Sequence, residues 1–442
     1  MNEKKKKTGP RIRQVEWHPD KASAVVTRFL KRPSIDPAAE SAAREVLDEI
    51  RQKGDAAVLR TIREFDGATL TARGLKITPA ELNAARDQVD REFKVAATEA
   101  CKRINRFAKA GLSSDWTISS PKGGVLGEQF VPYDRVGAYI PGGTAPLAST
   151  ALMTVALARV AGVPEIVACT PSDAAGQVDP FLLYSLELAG ATEIYRVGGI
   201  QAIGAMAFGT RTIAPVQKIV GPGGPYVTAA KRLVYGYVAL DSVAGPSEIA
   251  ILADDSAAPV HVAADLLSQA EHGTGQEKVL LVSTSRRLTD QVATELLRQA
   301  TTLSREKTVN EVLRKGALLV TVQNLDDGME LINRFAPEHF ELLVRSPRVW
   351  LPKVRCAGAV FVGPWTPECV GDYVAGPSHV LPTGGAAALF SGLTVDDFRR
   401  RTSVVSFTSA DLKDALPVLE AFGRVEGLDG HVRSARARFG PI

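Results

Sequence analysis

Between residues 136 and 254, short runs rich in β-branched residues alternate with stretches of helical composition, and this alternation narrows the folds open to the chain more than any other feature. It is the pattern of a parallel sheet whose strands are joined by crossover helices. Strands are expected at 136–140, 165–170, 193–197, 218–220 and 248–253, with helices at 149–161, 180–188, 201–208 and 226–234. The alternation resumes with strands at 278–283, 317–322, 340–344 and 359–362 and helices at 288–299 and 328–335. Two successive doubly wound α/β units follow. Before residue 136 the chain reads as mostly helical, with apolar residues at three- and four-residue spacing over 38–54 and 79–108. The last fifty residues read as a small appended module: the acidic pair Asp396-Asp397, an apolar helix at 412–422 and a basic end at 432–438.

A chain of 442 residues exceeds one ordinary core, so two or more domains are expected. Its formal charge of +4 equals the run Lys4-Lys5-Lys6-Lys7, so the remaining body carries a formal charge of zero (4 − 4). A nucleic-acid footprint needs a basic face spread over the fold, and none is expected here. The lysine run reads as a solvated tail. No apolar segment follows it, so secretion is not expected. The longest apolar stretch, 145–163, is interrupted by Ser149, Thr150, Thr154 and Arg159, which suits a buried helix and not a membrane span. Cys101, Cys169, Cys356 and Cys369 form no C-x-x-C pair, which points to reduced thiols in a cytoplasmic protein.

Four of the six histidines lie in polar blocks: Gln269-Ala270-Glu271-His272, Pro337-Glu338-His339, 372–379, and Glu426-Gly427-Leu428-Asp429-Gly430-His431. Imidazole titrates near neutrality and is a common metal ligand, so the clustering points to proton transfer, metal binding or both. Gln269 and His272 are three apart near a helix end and project from one face. Asp372 offers a carboxylate and His431 a second imidazole. Such a mixed set suits zinc, with manganese or cobalt as substitutes. Glu338 and His339 pair an acid with a base, and Pro337 is expected to hold Ala336 extended. His18 and His261 have no such company and are taken as structural. Three expected strands run into glycine, at Pro141-Gly142-Gly143, Gly198-Gly199 and Gly221-Pro222-Gly223-Gly224. Glycine allows close backbone approach, and the helix that follows offers free N–H groups to an anion. Neither G-x-G-x-x-G nor the P-loop pattern is present, so composition alone names no dinucleotide.

Taken in order, these blocks resemble the histidinol dehydrogenase family. The matching pieces are Val136-Gly137-Ala138-Tyr139-Ile140-Pro141-Gly142-Gly143, Gly198-Gly199-Ile200-Gln201-Ala202-Ile203, Ala244-Gly245-Pro246-Ser247-Glu248, Leu266-Leu267-Ser268-Gln269-Ala270-Glu271-His272-Gly273, Ala336-Pro337-Glu338-His339, Gly371-Asp372-Tyr373 with His379-Val380-Leu381-Pro382-Thr383, and Glu426-Gly427-Leu428 with His431. The resemblance covers essentially the whole chain after the lysine tail. It implies oxidation of L-histidinol to L-histidine, through L-histidinaldehyde, by two molecules of NAD in histidine biosynthesis, with one zinc ion per subunit held by Gln269, His272, Asp372 and His431. It also implies His339 as the base for the hydroxyl proton and Glu338 as the activator of water. Ser247, Gln269, His272, His339, Asp372, Glu426 and His431 would contact substrate, and Tyr139, Gln201 and Gly224 would lie against NAD.

The implied architecture is α/β, with two incomplete Rossmann-like parallel-sheet domains, small N- and C-terminal helical modules and an intertwined homodimer. Its expected parts are a tail and small helical segment at 1–35 and a first α/β domain at 36–138 plus 249–392 carrying most zinc and catalytic residues. An NAD-binding α/β domain follows at 139–248, and a dimerisation module at 393–442 gives His431 to the partner's site. No nucleic acid or membrane is a partner. The sequence departs from the family pattern at Gly224 and Ser378, where asparagine is usual, and at 388–390, where an arginine is frequent. The residues leave three roles open for His379: orienting substrate, touching NAD or holding its loop. They also leave open a related zinc and NAD dehydrogenase of another small polar alcohol, a zinc hydrolase using Glu338, and a nucleotide-binding protein without turnover.

Overall fold

The computed structural model describes residues 11–31, 36–142, 146–242, 245–272 and 275–440. The lysine run and Gly143, Ala244 and Gly273 lie outside them. Strands Arg135–Tyr139, Glu165–Thr170, Glu193–Arg196, Lys218–Val220 and Ala239–Leu240 form a five-stranded parallel sheet. Counted along the chain, their spatial order is 3-2-1-4-5. This is the order of the doubly wound dinucleotide fold without its sixth strand, as expected, and its topological switch falls between the first and fourth strands. Helices Ala148–Ala161 and Pro180–Ala189 cover one face, and Gly199–Phe208 and Pro225–Val234 cover the other.

The second sheet has six parallel strands in the order Arg13–Glu16, Ala317–Thr321, Lys278–Ser283, Glu248–Ala253, His339–Leu343 and Ala359–Val362. Strand Glu248–Ala253 is buried at every position, consistent with the unbroken apolar character of strands covered on both faces. Helices Pro259–Ala270, Arg286–Ala300 and Glu306–Lys315 fill one side, with Ala24–Leu30 and Leu325–Phe335 on the other. No helix among the described residues is long and apolar enough to cross a membrane.

Four features differ from expectation. Residues 1–35 do more than supply a tail and a helix, because Arg13–Glu16 pairs in register with Leu318–Thr321 as the edge of the six-stranded sheet. The region before residue 136 is not wholly helical: Trp116–Ser119 and Val125–Pro132 form an antiparallel pair, which Arg399–Ser406 extends to three strands. The C-terminal module therefore contains a strand, preceded by the short 3-10 helix Val395–Phe398 and followed by helices Ser409–Glu426 and Asp429–Arg436.

The cores also divide otherwise than the grouping of 36–138 with 249–392 implies. Ala39, Ala43, Val46, Leu47 and Ile50 of helix Pro37–Lys53 pack in the core of the five-stranded sheet. A Cβ on Gly204 would stand 2.7 Å from Ile50 Cδ1, so the glycine allows helix Gly199–Phe208 its close contact with helix Pro37–Lys53. Helix Arg91–Ala110 packs against Ala148–Ala161 in the core on the sheet's other face. It is separate from Pro79–Gln88 because Asp90 stops the run and caps the new helix, accepting the Phe93 N–H at 2.8 Å.

Candidate active site

Glu338 and His339 open strand His339–Leu343, which places them at the amino-terminal edge of the six-stranded sheet. Open α/β sheets ordinarily bind ligands at the opposite edge. The preceding helix ends at Ala336, whose φ of 50° and ψ of 63° are left-handed where an extended conformation was expected. The reversal from helix to strand requires it: the Ala336 N–H still bonds to Ile332 O at 2.9 Å, while Pro337 O and Glu338 O already accept sheet bonds from Gly358 and Ala359. A non-glycine residue held this way costs on the order of 1–3 kcal/mol and is characteristic of functional turns.

The tautomer of His339 follows from its surroundings. Nδ1 lies 3.1 Å from the carbonyl oxygen of Glu248, which can only accept, so Nδ1 carries the proton and Nε2 of the neutral ring is bare. Burial pushes the imidazole down to about 4, so the ring is neutral at neutral pH. Glu338 is buried beside it and accepts the Glu248 N–H at 2.9 Å. Burial, with the carboxylates of Glu248, Asp372 and Glu368 nearby, raises its acid well above the usual range.

Gln269 stands in the last turn of helix Pro259–Ala270, wholly buried, and neither of its amide atoms completes a hydrogen bond of normal geometry among the described residues. His272 lies just beyond that helix, not within it, and is exposed. It acts electrostatically on both Asp372 and His339. Asp372, in the short helix Cys369–Tyr373, has Oδ1 3.5 Å from Nδ1 of His379. Burial works to raise the acid of Asp372, but the hydrogen bond and charge of His379 prevail and hold it below its usual value.

His379 Nε2 is 2.9 Å from Thr150 Oγ1, at the start of the helix that follows strand Arg135–Tyr139. That bond joins the amino edge of one sheet to the carboxyl edge of the other. A cavity of about 680 Å³ beside it is lined by His339, His379, Phe361, Gly371, Leu381 and Phe107, among others.

The structure thus brings Gln269, His272, Glu338, His339 and Asp372 to one place and adds His379. Half-buried Ser247 stands at the same edge, immediately before Glu248. Glu426 and His431 are exposed on the C-terminal helices, and among the described residues neither forms a hydrogen bond or ion pair with the other site residues of its own chain. Sequence reasoning missed Glu368, which is 2% exposed. Its Oε1 lies 3.7 Å from His339 Nε2, and its Oε2 accepts the Ser268 hydroxyl at 3.0 Å. It was detectable as an acid four residues before Asp372. Glu341 was detectable as the one charge in the buried strand His-Phe-Glu-Leu-Leu. Its carboxyl accepts the Glu368 N–H at 2.7 Å, and burial with Asp265 alongside pushes it up to about 10.

At the carboxyl edge of the five-stranded sheet, Cβ atoms on Gly142 and Gly198 would meet Pro171 at 2.3 and 2.5 Å, so these glycines serve close packing. Tyr139 and Gln201 are buried, and the Tyr139 hydroxyl accepts the Gly199 N–H at 3.1 Å. Gly224 caps helix Pro225–Val234 with nothing within 4 Å of where a Cβ would stand. The loop is pinned from below: Lys231, paired with Asp241, donates to Gly221 O at 2.9 Å, and Asp241 accepts the Gly221 N–H at 2.7 Å.

The sequence model of histidinol dehydrogenase matches residues 30–439. A relative named histidinol dehydrogenase 2, from Nostoc sp., is 44% identical over 399 residues, covering 90% of this chain and 92% of its own. The chain belongs to the histidinol dehydrogenase family. Another relative, the histidinol dehydrogenase of Synechococcus sp., is 42% identical over 423 residues, covering 95% of this chain and 97% of its own. The crystal structure of histidinol dehydrogenase from Elizabethkingia anophelis superposes with a TM-score of 0.92 at 33% identity, covering 98% of this chain and 99% of that one. Of the zinc set expected for a histidinol dehydrogenase, three members gather within one chain. The buried Gln269 amide completes no hydrogen bond of normal geometry and interacts with the Glu368 carboxyl, and an amide so placed beside Asp372 fits a metal ligand.

Proposed function

We propose that this oxidoreductase converts L-histidinol to L-histidine in two NAD-linked oxidations through L-histidinaldehyde, in a site completed by zinc and by a second copy of the chain. The observation that carries the reading is the His339 ring, which lines the cavity: buried and neutral, it has Nδ1 turned to the Glu248 carbonyl and leaves Nε2 bare, with Glu338 adjoining. Gln269, His272 and Asp372, with His431 of the partner, would hold zinc. When bound, zinc orients the substrate nitrogens and its charge favours ionised Glu338. When bound, NAD would supply the hydride acceptor for each oxidation of the substrate carbon.

His339 Nε2 removes the hydroxyl proton, a task suited to imidazole. Glu338 takes a proton from the water that adds to the aldehyde carbon, and His339 serves again on the hydrate. Ser247 and Glu426 contact substrate. Tyr139, Gln201 and Gly224 border the dinucleotide at the topological switch of the five-stranded sheet. His379 orients Asp372 through their 3.5 Å contact.

The dimer is supported by the unpartnered apolar face of the C-terminal module. Val405, Phe407, Val418, Phe422 and Val425 are all exposed there, in the region that also presents Glu426 and His431. All four thiols are free, in keeping with a cytoplasmic setting. The test is incubation of the purified protein with zinc, NAD and L-histidinol, with NADH absorbance and product analysis. About two NADH per histidine are expected from the two hydride transfers. Absence of NADH under every zinc condition refutes the proposal, and turnover of only a different alcohol assigns the site to that substrate.

A further inference from the structure

The reaction above leaves Glu368 without a task. Its side chain is 2% exposed, and it is held in place by the Ser268 hydroxyl on Oε2 and by Glu341 on its own N–H. Oε1 completes no hydrogen bond of normal geometry among the described residues and stands 3.7 Å from the bare Nε2 of His339, while the Gln269 and Asp372 side chains also act on this carboxyl. One ligand atom each from His339, Glu368 and Asp372 lie within 4.8 Å of one another.

We propose that His339, Glu368 and Asp372 form a second divalent-cation site, distinct from the Gln269, His272, Asp372 and His431 set, through which excess metal inhibits the enzyme. The inhibition rests on the role given to His339 above, whereas the site itself rests on geometry alone. Metal-bound imidazole is normally fixed by a hydrogen bond from its other nitrogen, and the Glu248 carbonyl already supplies that bond to His339. Two carboxylates and one imidazole are harder donors than the amide and imidazole set, so the site favours manganese-like cations. Asp372 has two oxygens and can serve both sets. A cation on Nε2 takes the lone pair that would accept the substrate proton, so catalysis stops while zinc stays bound.

The test uses zinc-loaded protein titrated with Mn2+ alone, with bound ion read by electron paramagnetic resonance and zinc content by atomic emission. Wild type is expected to bind Mn2+ with its zinc content unchanged and to lose NADH formation in step with Mn2+ uptake, recovering on gel filtration. Glu368→Ala and Glu368→Gln are expected to weaken Mn2+ binding at least tenfold. The glutamine variant preserves the acceptor for Ser268, so it reports on charge if the alanine variant misfolds. His272→Ala is expected to lose zinc and keep Mn2+, which separates this site from the zinc reading. Absence of Mn2+ binding to zinc-loaded wild type, equal affinity in both Glu368 variants, or one-for-one displacement of zinc by Mn2+ would each overturn the proposal.

Discussion

Gly221 and Gly224 occupy one loop under different constraints. Gly221 has φ of 113°, and a Cβ there would stand 2.1 Å from Tyr139 O. Gly221→Ala should therefore lower the melting temperature and raise KM for NAD together, with backbone strain alone on the order of 1–3 kcal/mol. Gly224 has φ of −67° and open space around it. Gly224→Asn should change stability by only a few tenths of a kcal/mol, about what asparagine and glycine differ by at a helix cap. A lower KM for NAD in that variant would place the loop on the dinucleotide. At the reacting centre, His339→Ala should suppress both oxidations by about 10²–10⁴-fold, the usual range for a lost general base. Glu338→Ala should mainly slow oxidation of supplied L-histidinaldehyde, and equal aldehyde turnover by wild type and variant would remove Glu338 from its role. Glu338 and His339 were legible because an acid and a base adjoin in the sequence. Glu368 was visible only as an acid four residues before Asp372; its importance comes from a fold that sets it opposite His339, a neighbour its local sequence does not name.

Lys231 and Asp241 show how one helix and one strand end fix the loop at Gly221. Both side chains are 3% exposed, and each also bonds to Gly221. Lys231→Met should cost about 3–5 kcal/mol in denaturant unfolding, because Asp241 is left charged and unpaired in the interior. A cost under about 1 kcal/mol would mean that water reaches Asp241. At the other end of the sheet, burial acts to raise the acid of Glu193, but bonds from Arg135 and Tyr195 prevail and bring it to about 2. A carboxyl depressed in the folded state stabilises fully above its unfolded value of 4.5 and loses that contribution as pH falls toward 2. Glu193→Gln should flatten the acid dependence of the urea midpoint across that window. The parallel strands were legible because runs such as 249–253 are apolar throughout. Arg13–Glu16 was not, being four residues of polar and apolar mixture whose strand character comes from its pairing with Ala317–Thr321. Val125–Pro132 was obscured by Gly127, Gln129 and the closing proline, yet Gly127 fits because a Cβ there would meet Trp116 O at 2.3 Å.

At the scale of the molecule, the proposal that His431 completes the site of a partner makes a direct prediction. Chains carrying His431→Ala and chains carrying His339→Ala should each be inactive alone. Mixed by unfolding and refolding together, they should regain about a quarter of wild-type activity, since half of the random dimers are mixed and each mixed dimer holds one intact site of two. No recovery would place His431 in its own chain's site. The two-sheet plan was legible from alternation alone, but the assignment of helices to sheets was not. The apolar stripe of helix Pro37–Lys53 records that it must pack, and only a complementary surface such as Gly204 records where. The first strand has a practical consequence of the same kind. Arg13–Glu16 shields the backbone of Ala-Leu-Leu-Val-Thr at 317–321, so a truncation that begins after residue 16 would leave a bare apolar sheet edge open to other chains, and such a protein should aggregate even with its chemistry intact.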